Sequence, residues 1–260
     1  MKINEIAKLK NTKKISMLTC YDYAFAKILD KSSVDMLLVG DSAAMTVHGY
    51  PSTTYATTEM MIMHTAAVRR GAPSKFIVAD MPFLTFRKTL ADAATCAGAL
   101  INAGANAVKL EGMDGNEEVI KHLIGTGIPV MGHIGLVPQS VNKFGGYKVQ
   151  GVCKKSAADL KNQAKQLEKS GCFAIVLECI PAALAAQITK AIKIPAIGIG
   201  AGAGTDGQVL VLQDILGFDD DVNYKFVRRY ADLQKPLLEA FNKYDEDVKK
   251  SKFPSKEESF

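Results

Sequence analysis

The chain has 260 residues, of which 48% are hydrophobic, a formal net charge of +5 and five cysteines. The positive excess is modest and scattered, with no basic stripe interleaved with aromatics, which speaks against a nucleic-acid-binding module. No apolar run approaches the roughly 18 residues of a membrane span, and the N-terminal MKINEIAKLKNTKK lacks the apolar centre of a signal peptide.

Five cysteines without a CxxC pair fit reduced thiols and a cytoplasmic location. Apolar runs of β character alternate with helical patterns nearly from end to end. Strands are predicted at 15–19, 35–40, 75–79, 107–110, 129–132, 173–177, 195–199 and 209–212. Most are continuous runs of Val, Ile, Leu, Met and Ala, the composition of parallel strands buried on both faces. Helices are predicted between them at 58–70, 89–103, 116–125, 157–170 and 182–192. Several stop at a glycine, which supplies a left-handed cap, and re-enter a strand, as in AGANAVKL, GTGIPVMG and SGCFAIVL.

Eight strands in this alternation predict one α/β domain over 1–260, a (β/α)8 TIM barrel with C-terminal helices. A doubly wound sheet competes, but its usual glycine loop after the first strand is here CYDYAF. The segments 41–57 and 136–155 are long for βα loops, and both follow strands. They therefore belong to the C-terminal rim, where barrels place their chemistry. Residues 217–248 read as terminal helices, and the charged stretch 249–260 reads as a mobile tail.

Four strand runs end in an acid: LLVGD at Asp41, FIVAD at Asp80, AVKLE at Glu111 and AIVLE at Glu178. An unpaired buried carboxylate is costly, so convergence of four on one rim points to a hard cation, with one acid kept back as a base. Asp41 and Asp80 end neighbouring strands, and two bare carboxylates that close repel. They either share a divalent metal or each cap the next helix. Lys109 and Glu111 lie two apart on one strand and face the same way. They form a buried ion pair, or a cation for a substrate carboxylate beside a metal ligand. His133 ends the fifth strand; a lone histidine there is more often a hydrogen-bonded core or rim residue than a catalyst, and its place on the same rim adds substrate contact as a second reading. Glu178, flanked by Leu177, Cys179 and Ile180, suits a general base, with a structural ion pair as the plain alternative. His48, His64 and His122 read as surface or packing residues. The glycines of IGIGAGAGTDGQ do not read as a dinucleotide cradle, because no acidic ribose partner follows in a βαβ context; they read as close backbone packing at the rim, with contact to a bulky cosubstrate as the alternative.

Several stretches closely resemble the ketopantoate hydroxymethyltransferase family. They are MLTCYDYAFAKILD, LLVGDSAAMTVHGY, HTAAVRRGAP, VADMPF, AVKLEG, GHIGLVPQSVNKFGGYKVQG, VLECIP and IPAIGIGAGAGTDGQVLV, in order from about residue 3 to residue 220. The resemblance implies one Mg²⁺ per subunit on Asp41, Asp80 and Glu111. It implies a 2-oxoacid held by Asp41, Ser42, Asp80 and Lys109, and Glu178 as proton acceptor. It also implies 5,10-methylenetetrahydrofolate as cosubstrate, 3-methyl-2-oxobutanoate as acceptor and a homodecamer. Ala43 and Ala44 depart from a Leu-Gly that many members carry, which touches only local loop shape. Two other readings stand beside it. One is a Mg²⁺-dependent lyase or mutase of the phosphoenolpyruvate mutase and isocitrate lyase type, whose cysteine-bearing KKCGH-like segment is not matched by GVCKK at 151–155. The other is a non-catalytic barrel used for binding.

Overall fold

A computed structural model describes residues 2–220 and 223–260. It divides into two units, 1–210 and 211–260.

The first unit is a closed barrel of eight strands in sequential order, all parallel. The strands are β1 (Ile15–Thr19), β2 (Met36–Val39), β3 (Phe76–Asp80), β4 (Ala107–Glu111), β5 (Val130–Gly135), β6 (Ala174–Glu178), β7 (Ala196–Ile199) and β8 (Gly207–Leu210). The barrel closes through β1 and β8, with Met17 opposite Val209. The helices of this unit are α1 (Ile3–Leu9), α2 (Tyr23–Asp30), α3 (Ala43–Thr46), α4 (Thr58–Gly71), α5 (Leu90–Asn102), α6 (Glu117–Gly125), α7 (Val141–Phe144), α8 (Lys154–Lys169) and α9 (Ala182–Ala191).

Side chains alternate across a strand, so every second residue faces the barrel interior. The inward rows change character along their length. Phe76 and Val78 lead to Asp80; Ala107 leads to Lys109 and Glu111; Met131 leads to His133; Val176 leads to Glu178. The lower part of each row belongs to one buried apolar cluster, which Ile6 of α1 joins. The upper part is polar. The barrel is thus packed with hydrocarbon below and with ionisable groups at the strands' C-terminal ends.

Local signals explain the helix starts. Thr57, Thr89 and Asp22 accept hydrogen bonds from the N–H groups of Met60, Asp92 and Phe25, which starts α4, α5 and α2. No helix joins β7 to β8. The glycine-rich link instead lies against α9, where a Cβ on Gly202 would stand 2.4 Å from Ala182 Cβ, and one on Gly204 2.7 Å from Ala186 Cβ. Close packing is therefore what these glycines permit.

Two sequence expectations need correction. β8 begins at Gly207 and ends at Leu210, two residues before the predicted bounds, because Leu212 opens a helix. The second unit holds α10 (Leu212–Leu216) and α11 (Gln234–Lys249). Among the described residues, 217–233 is not helical, so the predicted helical stretch at 217–248 is helical only from Gln234. α11 carries Pro236 in its first turn, where no intrahelical N–H is lost. Its register is reinforced by the pairs Lys243–Asp247, Asp245–Lys249 and Glu246–Lys250, at 2.6, 2.8 and 2.6 Å.

Candidate active site

The four acids converge. Register sets Asp80 beside Lys109, Glu111 beside His133 and Gly135 beside Glu178. Asp41, one residue beyond Gly40 at the end of β2, donates its backbone N–H to Asp80 Oδ2 at 3.1 Å. Asp41, Asp80, Lys109, Glu111 and His133 are all at most 5% exposed.

Neither aspartate caps a helix. α3 has Ser42 at its cap position, and α5 starts from Thr89. Lys109 Nζ lies 3.1 Å from Asp80 Oδ1, in a contact outside good hydrogen-bond geometry. The cation thus serves the neighbouring strand's acid, as well as standing in the field of Glu111. Burial pushes the Asp41 carboxyl well above its ordinary range, and the charges of Asp80 and Glu111 add to this. Burial also lifts Asp80, with Lys109 and the Asp41 N–H opposing. Burial alone would lower Lys109, but Asp80, Glu111 and Asp41 outweigh it and hold the ammonium above its usual value.

His133 sits between two acids. Its Nδ1 is 3.4 Å from Glu111 Oε1 and 3.3 Å from Lys109 Nζ, and its Nε2 is 3.1 Å from Glu178 Oε2. Burial and Lys109 act to lower its pKa, but Glu111 and Glu178 prevail and lift it to about 8. The Glu178 side chain is 16% exposed, against 2–5% for the ion-paired side chains around it. It is the acid in this constellation most open to solvent.

Sequence reasoning missed Gln139. A 3-10 turn at Pro138–Ser140 buries this side chain among the acids. Its Nε2 donates to Asp41 Oδ2 at 2.8 Å and to the Met81 carbonyl at 3.0 Å. Its backbone N–H donates to Glu111 Oε2 at 2.9 Å. One residue from the 136–155 segment therefore ties the ends of β2, β3 and β4 together. A second network links Ser42 Oγ to Tyr21 Oη at 2.8 Å, His64 Nδ1 to the Tyr21 carbonyl at 2.6 Å, and His64 Nε2 to His48 Nε2 at 2.9 Å. His48 and His64 thus brace the loop that carries Ser42. No signal beyond their spacing could have shown this.

No group of three or more His, Cys, Asp or Glu among the described residues is arranged to hold a metal ion as the chain stands. The donor chemistry nevertheless fits a hard cation. Asp41, Asp80 and Glu111 offer carboxylate oxygens, and burial, with repulsion from Asp80 and Glu111 added to it, already raises the Asp41 carboxyl's hold on its proton.

A sequence profile of the family described as ketopantoate hydroxymethyltransferase matches residues 1–256. The chain belongs to this family. A 3-methyl-2-oxobutanoate hydroxymethyltransferase of Francisella tularensis subsp. tularensis is 51% identical over 253 residues, 97% of this chain and 96% of that protein. One of Legionella pneumophila (strain Lens) is 50% identical over 262 residues and the full length of both. Among solved structures, 2,3-dimethylmalate lyase, a member of the PEP mutase/isocitrate lyase superfamily, superposes with a TM-score of 0.61 at 16% identity. The match covers 97% of this chain and 89% of that one. A phosphonopyruvate hydrolase complex with oxalate and Mg²⁺ gives 0.63 at 10% identity, covering 99% and 93%. At such identities these structures share the fold and no more. The barrel expectation holds, and family membership favours transfer over the lyase or binding-module readings.

Within the family's site, Gly135 has a testable role. It sits at φ +101°, and a Cβ there would stand 2.2 Å from the Glu178 carbonyl oxygen and 2.8 Å from Ile180 Cγ2. Gly135→Ala should cost at least ~1–3 kcal/mol from backbone strain alone and displace the Glu178 strand end. Thermal unfolding and turnover should both fall. Unchanged values for both would show that the β5–β6 contact is softer than its geometry indicates.

Proposed function

We propose that the chain transfers a hydroxymethyl group from 5,10-methylenetetrahydrofolate to 3-methyl-2-oxobutanoate, giving 2-dehydropantoate and tetrahydrofolate in pantothenate and coenzyme A biosynthesis. The observation that carries this is the half-open Glu178 beside a buried, acid-rich cluster, in a chain that matches the family over nearly its whole length. Asp41, Asp80 and Glu111 would hold a Mg²⁺ ion. When bound, such a cation acts as a Lewis acid toward carbonyl oxygen.

The residues divide the remaining work. Lys109 and Ser42 bind the 2-oxoacid at its charged end. Glu178 takes the proton from C3, and the C–H electron pair passes into the enolate. C3 then forms a bond to the methylene carbon as its bond to one folate nitrogen breaks, and that nitrogen takes the proton Glu178 had removed. Water replaces the second nitrogen as the hydroxyl group, and water's other proton goes to that nitrogen. His133 Nε2 lies 3.1 Å from Glu178 Oε2, and in this reading it hydrogen-bonds the new hydroxymethyl group. Glu111 and Glu178 raise the His133 pKa, which favours the protonated imidazole and agrees with Glu178 as the base.

Product formation tests this reading. Wild-type protein with Mg²⁺ should form 2-dehydropantoate only when 5,10-methylenetetrahydrofolate is present; turnover of the 2-oxoacid without folate would favour a lyase instead. Asp41→Ala and Asp80→Ala should abolish most Mg²⁺ binding, measured by calorimetry. Full activity in chelator-treated wild-type protein would remove the metal from the scheme.

The same reading gives a cytoplasmic homodecamer. No helix among the described residues is long and apolar enough to cross a membrane. Leu238, Phe241 and Tyr244 of α11 are 57–65% exposed, and exposed apolar area of this kind marks contact surfaces. Light scattering should give a mass several times 28.0 kDa; a monomer at micromolar concentration would contradict the assembly.

A further inference from the structure

A folate is several times larger than a 2-oxoacid and needs a surface of its own. A separate cavity of about 410 Å³ opens on the C-terminal rim outside β4 and β5. Small-molecule sites span ~300–1,000 Å³. We propose that this cavity, between the 83–87 loop, the strand ends of β4 and β5, and α8, docks the folate cosubstrate. The inference rests on the hydroxymethyl-transfer reading above.

Position is the first reason. Gly112, which follows Glu111, and Ile134 and Gly135, which follow His133, form one wall of the cavity. Gln150 lines the same space, and its backbone N–H donates to the Cys179 carbonyl at 2.9 Å, one residue beyond Glu178. A ligand lying there borders three strand ends that carry the chemistry. By contrast, the cavity of about 280 Å³ lined by Lys13, Lys14 and Thr205 precedes β1 and β8, at the opposite end of the barrel.

Chemistry is the second reason. A reduced folate has three parts: a pterin edge rich in N–H donors, an aromatic middle, and a glutamate tail with two carboxylates. The cavity offers acceptors in Asp114 and Asp159, apolar surface in Phe83 and Met113, and cations in Arg87 and Lys143. Phe83 is 38% exposed, so a flat aromatic surface faces solvent there. Arg87 is fixed in place. Its Nη2 donates to the Glu111 carbonyl at 3.0 Å, and its Cζ lies 5.4 Å from the Phe86 ring centroid. A guanidinium held this way is ready to take a carboxylate. The acids and cations lining one cavity match a ligand that donates hydrogen bonds from one end and carries carboxylates at the other.

The test uses the full chain and tetrahydrofolate as probe. Gln163→Trp, on α8, fills the cavity without touching the acid cluster. Lys143→Glu reverses a charge on its exposed lip and is not expected to affect folding. Each should weaken tetrahydrofolate binding about tenfold or more in equilibrium dialysis. Each should also leave hydrogen exchange at C3 of 3-methyl-2-oxobutanoate in heavy water within about twofold of wild type, since that step needs no folate. Wild-type tetrahydrofolate affinity in both variants overturns the cavity assignment while leaving the transfer reading intact. A wild type that binds tetrahydrofolate in a cavity-dependent way but forms no 2-dehydropantoate supports the site and overturns the transfer reading.

Discussion

Glu178→Gln lowers turnover by about 10²–10⁴-fold, the usual contribution of a positioned general base. The substitution keeps size and hydrogen-bonding shape and removes only the ability to accept a proton. Metal and 2-oxoacid binding should survive, because Asp41, Asp80, Lys109 and Glu111 are untouched. The informative measurement needs no folate: in heavy water, wild-type protein with Mg²⁺ exchanges the C3 proton of 3-methyl-2-oxobutanoate, and the variant does not. Exchange at the wild-type rate would show that Glu178 is not the base. His133 would then lead, and its behaviour can be told apart. Glu178 is one of the two acids that lift His133 to about 8. Its neutralisation lowers that value, so an imidazole acting as base would show exchange that rises with pH until it has lost its proton.

The barrel was legible in the sequence because each strand is a short apolar run bounded by helix stops, and because acids end four of them. β1 was readable to the residue, and β2 to β7 to within about three residues. Their hydrophobicity is continuous, so neighbouring elements could not blur the signal. α2 went unread although its signals are present: Asp22 is a good N-cap, and Ala26 and Leu29 face inward at helical spacing. The run is short and begins with a Tyr and Phe, which weakened the pattern. α1 is harder still, since it spans only seven residues and its one fully buried side chain is Ile6. At the site, inward-facing residues on strands were visible as Asp80, Lys109, Glu111, His133 and Glu178, because strand periodicity decides which way they point. Gln139 was not, because it lies in an irregular turn, where spacing says nothing of direction. The partner of Lys109 was also beyond sequence. Its own strand offers Glu111, but parallel register sets Asp80 directly opposite.

That pairing predicts the second large effect. Lys109→Met should destabilise the fold by ~3–5 kcal/mol, as expected when one member of a buried ion pair is removed. For a chain of this size the loss corresponds to a fall of ~6–20 °C in Tm. The reason lies with the group left behind. Asp80 is 3% exposed and its Oδ1 has the Lys109 ammonium as its nearby cation, with Glu111 adding like charge from the adjoining strand end. Methionine fills the volume but cannot balance that charge. A double variant separates electrostatics from packing. Asp80→Asn in the Lys109→Met background removes the orphaned charge, so the pair should be more stable than Lys109→Met alone, a coupling of ~1–3 kcal/mol in a double-mutant cycle. A Lys109→Met protein as stable as wild type would mean that these acids are neutral in the folded chain, and the charge argument for a cation site would lose its basis. Activity should be lost in both variants, because the 2-oxoacid's charged end has no ammonium to meet. The double variant also lacks a metal-binding carboxylate, so the substrate role of Lys109 is read from the single variant: loss of activity in Lys109→Met at a temperature where it stays folded marks Lys109 as serving both the fold and the substrate.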